Sequence, residues 1–575
     1  MKLRKSGGAS LLAIAAMLIA MPALAQEQPA ASPGDIIVTA QKRSERLQEV
    51  PIAVSAVGSE FLQSRDISSI DRLGSVAPNV KIERAPSNKT ISQISIRGSV
   101  TINPAITWEP AVGLYMDGVY IAKAQGSIFD VADLERIEVL RGPQGTLYGR
   151  NTLAGAVNLI TKKPSGVLGG FLEGSYGNFD YKKVKGSLDL PQFGVFSVKL
   201  SGQIQQRDGF IDVVDNPYPA AVLANPRSTD ETNDLDSHSF MAQVRAEPTD
   251  NLTLDYTFDY SKYDQKTDYA QLYSVNRNGD PRDIFDPASP GYPFGGAFFP
   301  LNLYERKELK SEESQDAHIF ERSKATGHAL TATWDVGDVT LKSITSYRNL
   351  RWDDSLDLDG SPLDVARTQR FTKYHAVTQE LQATGALFEN DRLKYVAGVF
   401  YFRDKAETDN PQAFFAGAST FIASYGSHTE AYAAYAQVDY DFTDQLTLTG
   451  GLRYNHEKKD IRRFLALAGS PLPPILNVPY GGVPDDKVEN VSPQVTVKYE
   501  FNPDLNVYAR YAKGFKSGGF NGETNISGTD PGSPGCAAPA ELTCPYKPEK
   551  VDSYELGFKS QWFDRRVTLN SAVFW

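Results

Sequence analysis

Residues 141–164, RGPQGTLYGRNTLAGAVNLITKKP, are rich in glycine and yet carry closely spaced apolar residues. Four glycines, from Gly142 to Gly155, interrupt apolar positions such as Leu147. This mixture predicts a backbone that turns tightly inside a packed body rather than a flexible linker. A phosphate-binding loop is the alternative, but no Gly-Lys-Ser/Thr follows, and the Gly-Pro step at 142–143 disfavours the start of a helix.

The residues before this stretch alternate between short strand and short helix patterns. Apolar and β-branched runs predict strands at Ile52–Val57, Ile94–Ile96, Val112–Met116, Ile137–Leu140 and Ala156–Ile160, and apolar periodicity predicts helices at Ile67–Leu73 and Ile128–Leu134. These elements and the glycine-rich stretch predict one α/β domain over residues 49–165. That length is sufficient for a core of its own.

From residue 166 onward the sequence has the alternation of strands with one apolar face. In residues 252–260, LTLDYTFDY, leucine and aromatic residues alternate with threonine and aspartate, which places them on opposite faces of a strand. Similar segments predict strands near 170–177, 181–189, 195–207, 239–247, 252–263, 325–335, 339–353, 374–385, 393–405, 430–442, 446–459, 487–501, 506–515, 551–562 and 567–575. Most of them are long enough to cross a membrane when tilted.

The connections between these strands alternate in length. Tight turns alternate with long loops near 208–238, 264–324, 406–429, 460–486 and 516–550. Short turns at one end and long loops at the other are typical of a transmembrane antiparallel β-barrel, predicted here over residues 166–575. A soluble sandwich or propeller would have both faces buried or similar ends. The count of about 15 strands is odd, whereas a closed single-chain bacterial barrel has an even number, so a strand is missed or the chain is incomplete.

The first 25 residues have the pattern of a signal peptide. Lys2, Arg4 and Lys5 precede an apolar segment at 11–20, and a small-x-small cleavage site ends at Ala25. Its removal takes the net charge from −11 to about −14, which disfavours nucleic acid as a partner. A mean hydropathy of −0.35 excludes a bundle of membrane helices.

A flexible lead, residues 26–48, follows the signal peptide and contains one β-branched run. The run consists of Asp35, Ile36, Ile37, Val38, Thr39 and Ala40. An exposed strand of this kind has unpaired backbone groups and is suited to joining the sheet edge of another protein. The alternative is the first strand of the following domain.

Residue types that carry catalysis or bind metals are sparse. Cys536 and Cys544 are the only cysteines, and in an exported protein we expect them to close a small disulfide loop. The six histidines have no ligand spacing with each other or with the cysteines, so we expect no metal site and no cofactor. A secreted hydrolase is disfavoured because no nucleophile elbow or metal-ligand helix is present, and we expect no catalytic residues.

Four segments in order resemble the TonB-dependent outer-membrane receptors of Gram-negative bacteria. Residues 35–40 resemble the family's TonB box, Ile94–Gly98 and Arg141–Pro164 its plug motifs, and Tyr546–Phe558 its late-barrel segment. The resemblance implies a 22-stranded barrel around an N-terminal plug inside the lumen. This chain would then stop about seven strands early, and we expect an open seam or a forced closure.

The resemblance also implies a mechanism without covalent chemistry. A scarce ligand binds the outer loops and the plug apex, and the TonB box is released to bind TonB, which couples uptake to the inner-membrane proton gradient. Arg97 and Arg141 match the family's Arg-Gly motifs. We hypothesise that these arginines pair with Glu380 and Glu555 on the lumen side of the wall and lock the plug. The alternative is that all four are solvated lumen charges.

The resemblance ranks ferric siderophores first as the ligand of an exported receptor in the outer-membrane lipid bilayer. Uptake of a carbohydrate, an aromatic compound or cobalamin is the alternative, and a passive porin, which would lack plug and box, is a more distant one. Six aromatic residues are candidate ligand contacts: Trp108, Tyr120, Tyr292, Phe294, Phe298 and Phe299. The last four, in one outer loop, are equally explained by packing.

Overall fold

A computed structural model describes most of the chain. The described residues are 36–74, 77–86, 88–101, 105–214, 229–268, 270–274, 301–308, 312–313, 318–415, 417–482, 485–523 and 545–575. The predicted signal peptide at 1–25, the lead as far as Asp35, the aromatic residues Tyr292, Phe294, Phe298 and Phe299, and both cysteines lie outside the described residues. None of the helices in the described part of the chain is long and apolar enough to cross a membrane.

The N-terminal part is a small α/β body of nine strands. They are β1 (Ile37–Val38), β2 (Glu45–Arg46), β3 (Val54–Gly58), β4 (Val80–Ala85), β5 (Asn88–Ile96), β6 (Val112–Met116), β7 (Val119–Ile121), β8 (Leu134–Arg141) and β9 (Gly155–Thr161), with one helix, α1 (Ser59–Ser64), and a 3-10 turn at Ile70–Leu73. Five strands form the central sheet in the order β3-β8-β9-β6-β7, and β6 runs parallel to β9. Ile137 and Val157, which are fully buried, lie in its core.

All five strands predicted for this body are present, but the two predicted helices are wrong. The helix predicted at Ile67–Leu73 is only the 3-10 turn at its end, and the single α-helix precedes it. Residues 128–134 are not helical before β8 begins, although every one of them is buried. The physical reason is that apolar spacing cannot distinguish a helix from a chain buried on all sides: Asp130 and Asp133 in this segment bond to the surrounding wall.

One large antiparallel sheet forms the wall. Its strands are β10 (Gly169–Gly177), β11 (Tyr181–Asp189), β12 (Phe196–Arg207), β15 (Leu235–Thr249), β16 (Leu252–Gln265), β18 (Phe320–Val336), β19 (Val339–Asp357), β20 (Ala366–Leu387), β21 (Leu393–Phe414), β22 (Ser419–Asp441), β23 (Leu446–Leu467), β25 (Asp486–Asn502), β26 (Leu505–Lys516), β29 (Glu549–Trp562) and β30 (Val567–Phe574). Short strands lie in or beside the connections: β13 (Ile211–Val213), β14 (Glu231–Thr232), β17 (Glu312–Glu313), β24 (Leu476–Val478), β27 (Gly519–Phe520) and β28 (Pro545–Tyr546), with 3-10 turns at Leu301–Tyr304 and Glu389–Asp391.

The fifteen predicted wall strands are confirmed, and each pairs with the next along the wall. Their residues alternate between a buried lumen face and an exposed outer face, as Phe402 and Val399 of β21 show. The predicted loop 406–429 is wrong, because β21 and β22 stay paired as far as Phe414 and Ser419. Among the described residues β10 and β30 are not paired with each other, so the expected open seam is present.

The N-terminal body lies against the lumen face of this wall. Its residues bond to strands around the whole sheet, from Gln205 of β12 through Glu380 of β20 to Glu555 of β29. The predicted arrangement, a plug inside a β-barrel wall, is therefore confirmed. We call the end of the wall with turns such as 250–251 and 503–504 the short-turn end, and the opposite end the long-loop end.

Candidate functional site: the plug–wall interface

The described part of the segment predicted to be an exposed strand, Ile36–Ala40, is packed from Ile37 onward and only Ile36 of these residues is exposed, which corrects the sequence prediction. Its strand β1 pairs with β2, and the Leu47 amide donates to the Ile36 carbonyl at 2.8 Å. Val38 and Ala40 are almost fully buried among apolar residues of the plug and wall. The reason is the apolar β-branched composition itself, which favours burial as well as pairing. We call residues 36–40 the box segment.

A buried plug carboxylate holds the backbone of the box segment. Glu138 on β8 is fully buried, and its Oε1 accepts a hydrogen bond from the Thr39 amide at 2.8 Å and another from the Thr39 hydroxyl at 3.2 Å. The same oxygen accepts from Arg136 Nε at 2.8 Å. A backbone donor that another protein's strand would need is therefore occupied within the plug.

Two cations at positions 42 and 43, just beyond the box segment, reach wall carboxylates near the short-turn end. Lys42 pairs with Glu380 of β20, and Arg43 pairs with Asp439 of β22. Tyr435 donates its hydroxyl to Glu380 at 2.6 Å. Burial lowers the pKa of Lys42, and the Glu380 carboxylate opposes that shift. Glu380, which we expected to pair with a plug arginine, thus pairs with this lysine; Arg97 and Arg141 lie elsewhere.

Arg97 and Glu555 are brought together as the sequence hypothesis requires. They form a buried ion pair, and Glu555 also accepts from the Tyr508 hydroxyl at 2.8 Å and the Ala53 amide at 3.2 Å. The Arg97 guanidinium lies 3.8 Å from the centre of the Phe574 ring. This carboxylate therefore has donors from both the plug and the wall.

Arg141 is paired with neither glutamate, which corrects the other half of that hypothesis. Its Nη1 donates to the Pro78 carbonyl at 3.4 Å, within the plug. Burial, with a contribution from the nearby Arg97, lowers the pKa of Arg141. The physical reason is that Arg97 already lies beside Glu555, so a second guanidinium at that carboxylate would be repelled by the charge of Arg97.

Six buried charged residues that the sequence analysis did not single out connect the plug to β21 and β23. We call them the Glu109 cluster: Glu109, Lys123 and Arg150 from the plug, and Asp404, Glu457 and Lys459 from the wall. None is more than 5% exposed. Three carboxylates and three cations make the cluster formally neutral. Arg150 lies in the glycine-rich stretch. Asp404, Glu457 and Lys459 stand at positions that the apolar–polar alternation of β21 and β23 assigns to the lumen face. The sequence therefore indicated that each residue lies inside the barrel, but not that they meet.

Glu109 has the most partners in the cluster. Its Oε1 lies 2.8 Å from Lys459 Nζ and 3.1 Å from an Arg150 Nη, and its Oε2 accepts from Asn151 Nδ2 at 2.5 Å. Arg150 also contacts Glu457 at 3.0 Å. Burial alone would raise the pKa of Glu109, but Arg150, Lys459 and Lys123 together hold it well below its ordinary value. The Glu109 carboxylate therefore stays charged at neutral pH.

The two candidate ligand contacts in the plug have different surroundings. Trp108 is half-buried and stacks on Tyr546 of the wall side, with 5.1 Å between ring centres and 23° between the planes. Tyr120 is buried; its hydroxyl accepts from Asn151 and its ring lies 5.9 Å from Phe402. Tyr120, a candidate ligand contact in the sequence analysis, is therefore a plug–wall packing residue in this structure. Among the described residues no group of His, Cys, Asp or Glu side chains could hold a metal ion.

Comparison with known proteins gives the family. Residues 46–156 match the TonB-dependent receptor plug domain, and residues 269–575 match the TonB-dependent receptor-like β-barrel. The pesticin receptor of Yersinia pestis is 25% identical over 571 residues, covering 98% of this chain and 73% of that protein. The vitamin B12 transporter of Vibrio vulnificus is 26% identical over 206 residues, covering 35% of this chain and 33% of that protein.

Solved structures show the same fold. The ferric yersiniabactin uptake receptor of Yersinia pestis has a TM-score of 0.72 and 21% identity, covering 91% of this chain and 72% of that one. The ferripyoverdine receptor of Pseudomonas aeruginosa has a TM-score of 0.68 and 15% identity, covering 94% and 65%. Because the barrel match alone spans more than half of the chain, and the plug match precedes it, this protein belongs to the TonB-dependent receptor family.

Proposed function

We propose that this protein is an outer-membrane receptor that imports a ferric siderophore with energy delivered through TonB. The observation that carries the proposal is the box segment, which is folded against the plug and is followed by Lys42 and Arg43, whose ion pairs tie the chain to the wall near the short-turn end. A short segment that pairs through only two residues of strand and lies outside the central sheet of the plug is suited to release on a signal. The short-turn end then faces the periplasm, where TonB would bind the released strand by edge pairing.

The gating follows from the contacts of the box segment. Release separates Lys42 from Glu380 and Arg43 from Asp439, and it exposes the Thr39 amide that Glu138 occupies. Each of these steps leaves a polar group without its partner, so the packed state is favoured until ligand binding or TonB compensates. The mechanism needs no catalytic residue.

The ligand class is supported by the relatives and by the position of the plug apex. The similar proteins of known structure include receptors for ferric yersiniabactin and ferripyoverdine. Trp108, which is half-buried, stacks on Tyr546 beside the long-loop end, and the neighbouring Lys516 is buried and paired with Glu549 at 2.6 Å. An aromatic pair of this kind suits a planar metal chelate. We place Trp108 and the loop with Tyr292, Phe294, Phe298 and Phe299 among its contacts.

Uptake measurements test the proposal. Cells that produce the receptor are given iron-labelled siderophores, with and without a proton uncoupler, and compared with cells producing a chain that lacks residues 36–40. We expect the uncoupler and the deletion each to abolish accumulation while surface binding persists. Undiminished accumulation in both cases would instead identify a passive channel.

Release of the box segment is tested with Lys42→Gln/Arg43→Gln. We expect limited proteolysis within residues 36–43 of the purified protein to accelerate at least about tenfold, because about 1.4 kcal/mol of lost restraint gives that factor. Lys81→Gln/Arg65→Gln removes the same charges from exposed plug positions and serves as the control. Equal cleavage rates in the two double variants would contradict the restraint.

A further inference from the structure

The box segment and the Glu109 cluster lie at two different heights of the lumen. Lys42, just beyond the box segment, pairs with Glu380, and Glu380 is in register with Phe400 of β21. Asp404 of the Glu109 cluster lies four residues further along β21 toward the long-loop end, which is about 13 Å of strand. A change caused by a ligand on the outer side must cross this distance before it reaches the box segment.

Four consecutive residues of the glycine-rich stretch span the two heights. They are Tyr148, Gly149, Arg150 and Asn151, and we call them the relay turn. Tyr148 contacts the residues around the box segment, whereas Arg150 and Asn151 contact the Glu109 cluster. The two sets of contacts are therefore joined by one short piece of backbone.

Tyr148 contacts the box segment and the groups that hold it. Its hydroxyl lies 3.5 Å from the Thr39 carbonyl, and its ring centre lies 5.7 Å from Lys42 Nζ. Asn158 donates to the same hydroxyl at 2.8 Å and lies 3.4 Å from Glu138 Oε2, on the carboxylate that accepts from the Thr39 amide. The ring also packs against the apolar cluster to which the box segment contributes. A displacement of Tyr148 would therefore loosen several restraints on the box segment together.

Arg150 and Asn151 make the outer contacts of the relay turn. Asn151 donates to Glu109 Oε2 at 2.5 Å, and its Oδ1 accepts from the Ser517 amide at 3.0 Å. Arg150 lies 3.1 Å from Glu109 and 3.0 Å from Glu457, which also accepts from the Ser517 hydroxyl at 2.8 Å. Ser517 directly follows β26 and begins the long connection to β29. The relay turn thus contacts the base of an outer loop.

The same long connection contacts the plug beside the Glu109 cluster at two more points. Near its start, the Gly522 amide donates to the Thr107 hydroxyl at 3.1 Å. At its other end, Tyr546 stacks on Trp108, one of the proposed ligand contacts. A ligand that shifts this connection or Trp108 would therefore displace the outer partners of the relay turn.

The wall restricts the conformation of the relay turn. Gly149 has a φ of +87°, in the left-handed region that favours glycine, and a Cβ added there would lie 2.5 Å from the guanidinium group of Arg453. Arg453, on β23, is itself fully buried. Asn151 has a φ of 60°, which asparagine adopts more readily than most residues. Because the turn has little room to deform, a displacement at one of its ends is passed to the other.

Two buried tyrosines brace the relay turn from the plug side. The Tyr115 hydroxyl donates to the Tyr148 carbonyl at 3.0 Å, and the Tyr120 hydroxyl accepts from Asn151 at 3.0 Å. The centres of the Tyr115 and Tyr120 rings are 5.3 Å apart. The first and last residues of the turn are therefore connected a second time, through side chains.

We propose that the relay turn couples the outer contacts of the plug to the packing of the box segment. Loss of the outer contacts of Arg150 and Asn151 withdraws Tyr148 from Thr39 and favours release of the box segment. The proposal rests on the release described under the proposed function, and it names the residues that regulate that release. Coupling between two sites is reciprocal, so loosening of the box segment must also weaken the outer contacts.

Hydrogen exchange of the purified full chain in detergent, followed by mass spectrometry, tests the coupling from the outer side. Asn151→Gly permits the left-handed backbone and removes the side-chain contacts. We expect amide exchange in residues 37–42 to accelerate at least about fivefold, although Asn151 has no hydrogen bond to the box segment among the described residues. The control Glu321→Gln alters another buried plug–wall contact, at Thr90, and is expected to change this exchange by less than about twofold.

The reverse measurement needs no substitution in the relay turn. Lys42→Gln/Arg43→Gln loosens the box segment, and we expect amide exchange in residues 517–523 to accelerate at least about threefold. Lys81→Gln/Arg65→Gln, which removes the same charges from exposed plug positions, should leave that exchange unchanged. In a chain that also carries Tyr148→Leu, the effect of Lys42→Gln/Arg43→Gln on residues 517–523 should disappear, because the turn has lost its contacts with the box segment.

The proposal is overturned by any of three results. They are unchanged exchange in residues 37–42 of the Asn151→Gly variant, equal acceleration by Glu321→Gln, and unchanged exchange in residues 517–523 of the Lys42→Gln/Arg43→Gln variant. Uptake of iron-labelled siderophores by cells producing each variant is measured in parallel. Coupled exchange without uptake would count against the proposed function alone, whereas uncoupled exchange with energy-dependent uptake intact would count against the relay turn alone.

Discussion

Two buried plug carboxylates reach opposite parts of the wall with different kinds of partner. Glu109 faces β21 and β23 and is surrounded by three cations. Asp130 faces β12, β15 and β16, where Gln205, Ser237 and Tyr263 donate to its Oδ2 at 2.8 to 3.0 Å. Both are at most 7% exposed. Burial is thus nearly equal, and the charge of the partners is what differs.

This difference sets the direction of the two pKa shifts. Burial raises the pKa of Asp130, and its neutral donors only partly oppose that shift. For Glu109 the cations outweigh burial, and its pKa is lowered. A buried plug carboxylate can thus be held to the wall by cations, as Glu109 is, or by neutral hydrogen-bond donors, as Asp130 is. The two kinds of contact respond differently to substitution and to pH.

The largest effect is expected from breaking the charged contact. Glu109→Gln leaves Arg150, Lys459 and Lys123 buried with one carboxylate fewer, and we expect the free energy of unfolding to fall by about 3–5 kcal/mol. Denaturant unfolding of the purified protein, followed by tryptophan fluorescence, measures it. Glu135→Gln, on a half-exposed side chain, is the control and is expected to stay within about 0.5 kcal/mol. Similar losses in both variants would contradict the assigned role of the cluster.

A smaller effect is expected at a carboxylate that has one cation and two neutral donors. Arg97→Leu removes the cation from Glu555 but leaves Tyr508 and Ala53 in place, so we expect a loss of about 2–3 kcal/mol. A double-mutant cycle with Glu555→Gln should give a coupling of about 1–3 kcal/mol. Additive losses would mean that the pair does not hold the plug.

The contribution of Asp130 to the free energy of unfolding is expected to depend on pH. Because the folded-state pKa of Asp130 is raised, the folded state binds more protons than the unfolded state between the ordinary and the raised pKa. Its contribution to stability is therefore present at low pH and is lost as pH rises through that interval. We expect Asp130→Asn to remove this loss and to be about 1 kcal/mol more stable than the wild type at neutral pH. Parallel pH profiles from about pH 4 to 8 would contradict this.

The smallest effect is expected at Arg141. Its hydrogen bond to the Pro78 carbonyl within the plug is long, at 3.4 Å, and no wall carboxylate among the described residues pairs with it, so Arg141→Gln should change the free energy of unfolding by less than about 0.5 kcal/mol. The same unfolding assay compares it with Arg97→Leu. A loss as large as that of Arg97→Leu would show that Arg141 reaches a wall carboxylate after all.

The wall was predictable because period two is a local property of the sequence. Each strand with one apolar and one polar face, such as Leu252–Gln265, can be recognised from its own residues, without information about the strands beside it. The wrong predictions, a helix at 128–134 and a loop at 406–429, arose because they too used only local patterns in the sequence. Residues 128–134 have the apolar spacing of a helix but are surrounded by core and wall, and β21 and β22 continue beyond their apolar parts because each pairs with the other.

The plug–wall contacts were predictable only in part. Arg97 is indicated by its Arg-Gly motif and Glu555 by its position on the lumen face of β29, and the structure brings the two together. The alternation of faces along β20 also places Glu380 on the lumen side, but it cannot show that Lys42 rather than an arginine pairs with it. The Glu109 cluster joins residues up to 350 positions apart, and no spacing in the sequence reports such a distance.

The sequence by itself determined the plug, the wall strands and the faces of those strands, because the alternation of apolar and polar residues is a local physical signal. Only the tertiary structure decided which charges meet: Lys42 with Glu380, and Glu109 with Lys459. Strand order and register bring these residues to within a few ångströms. Burial then turns that proximity into a strong interaction.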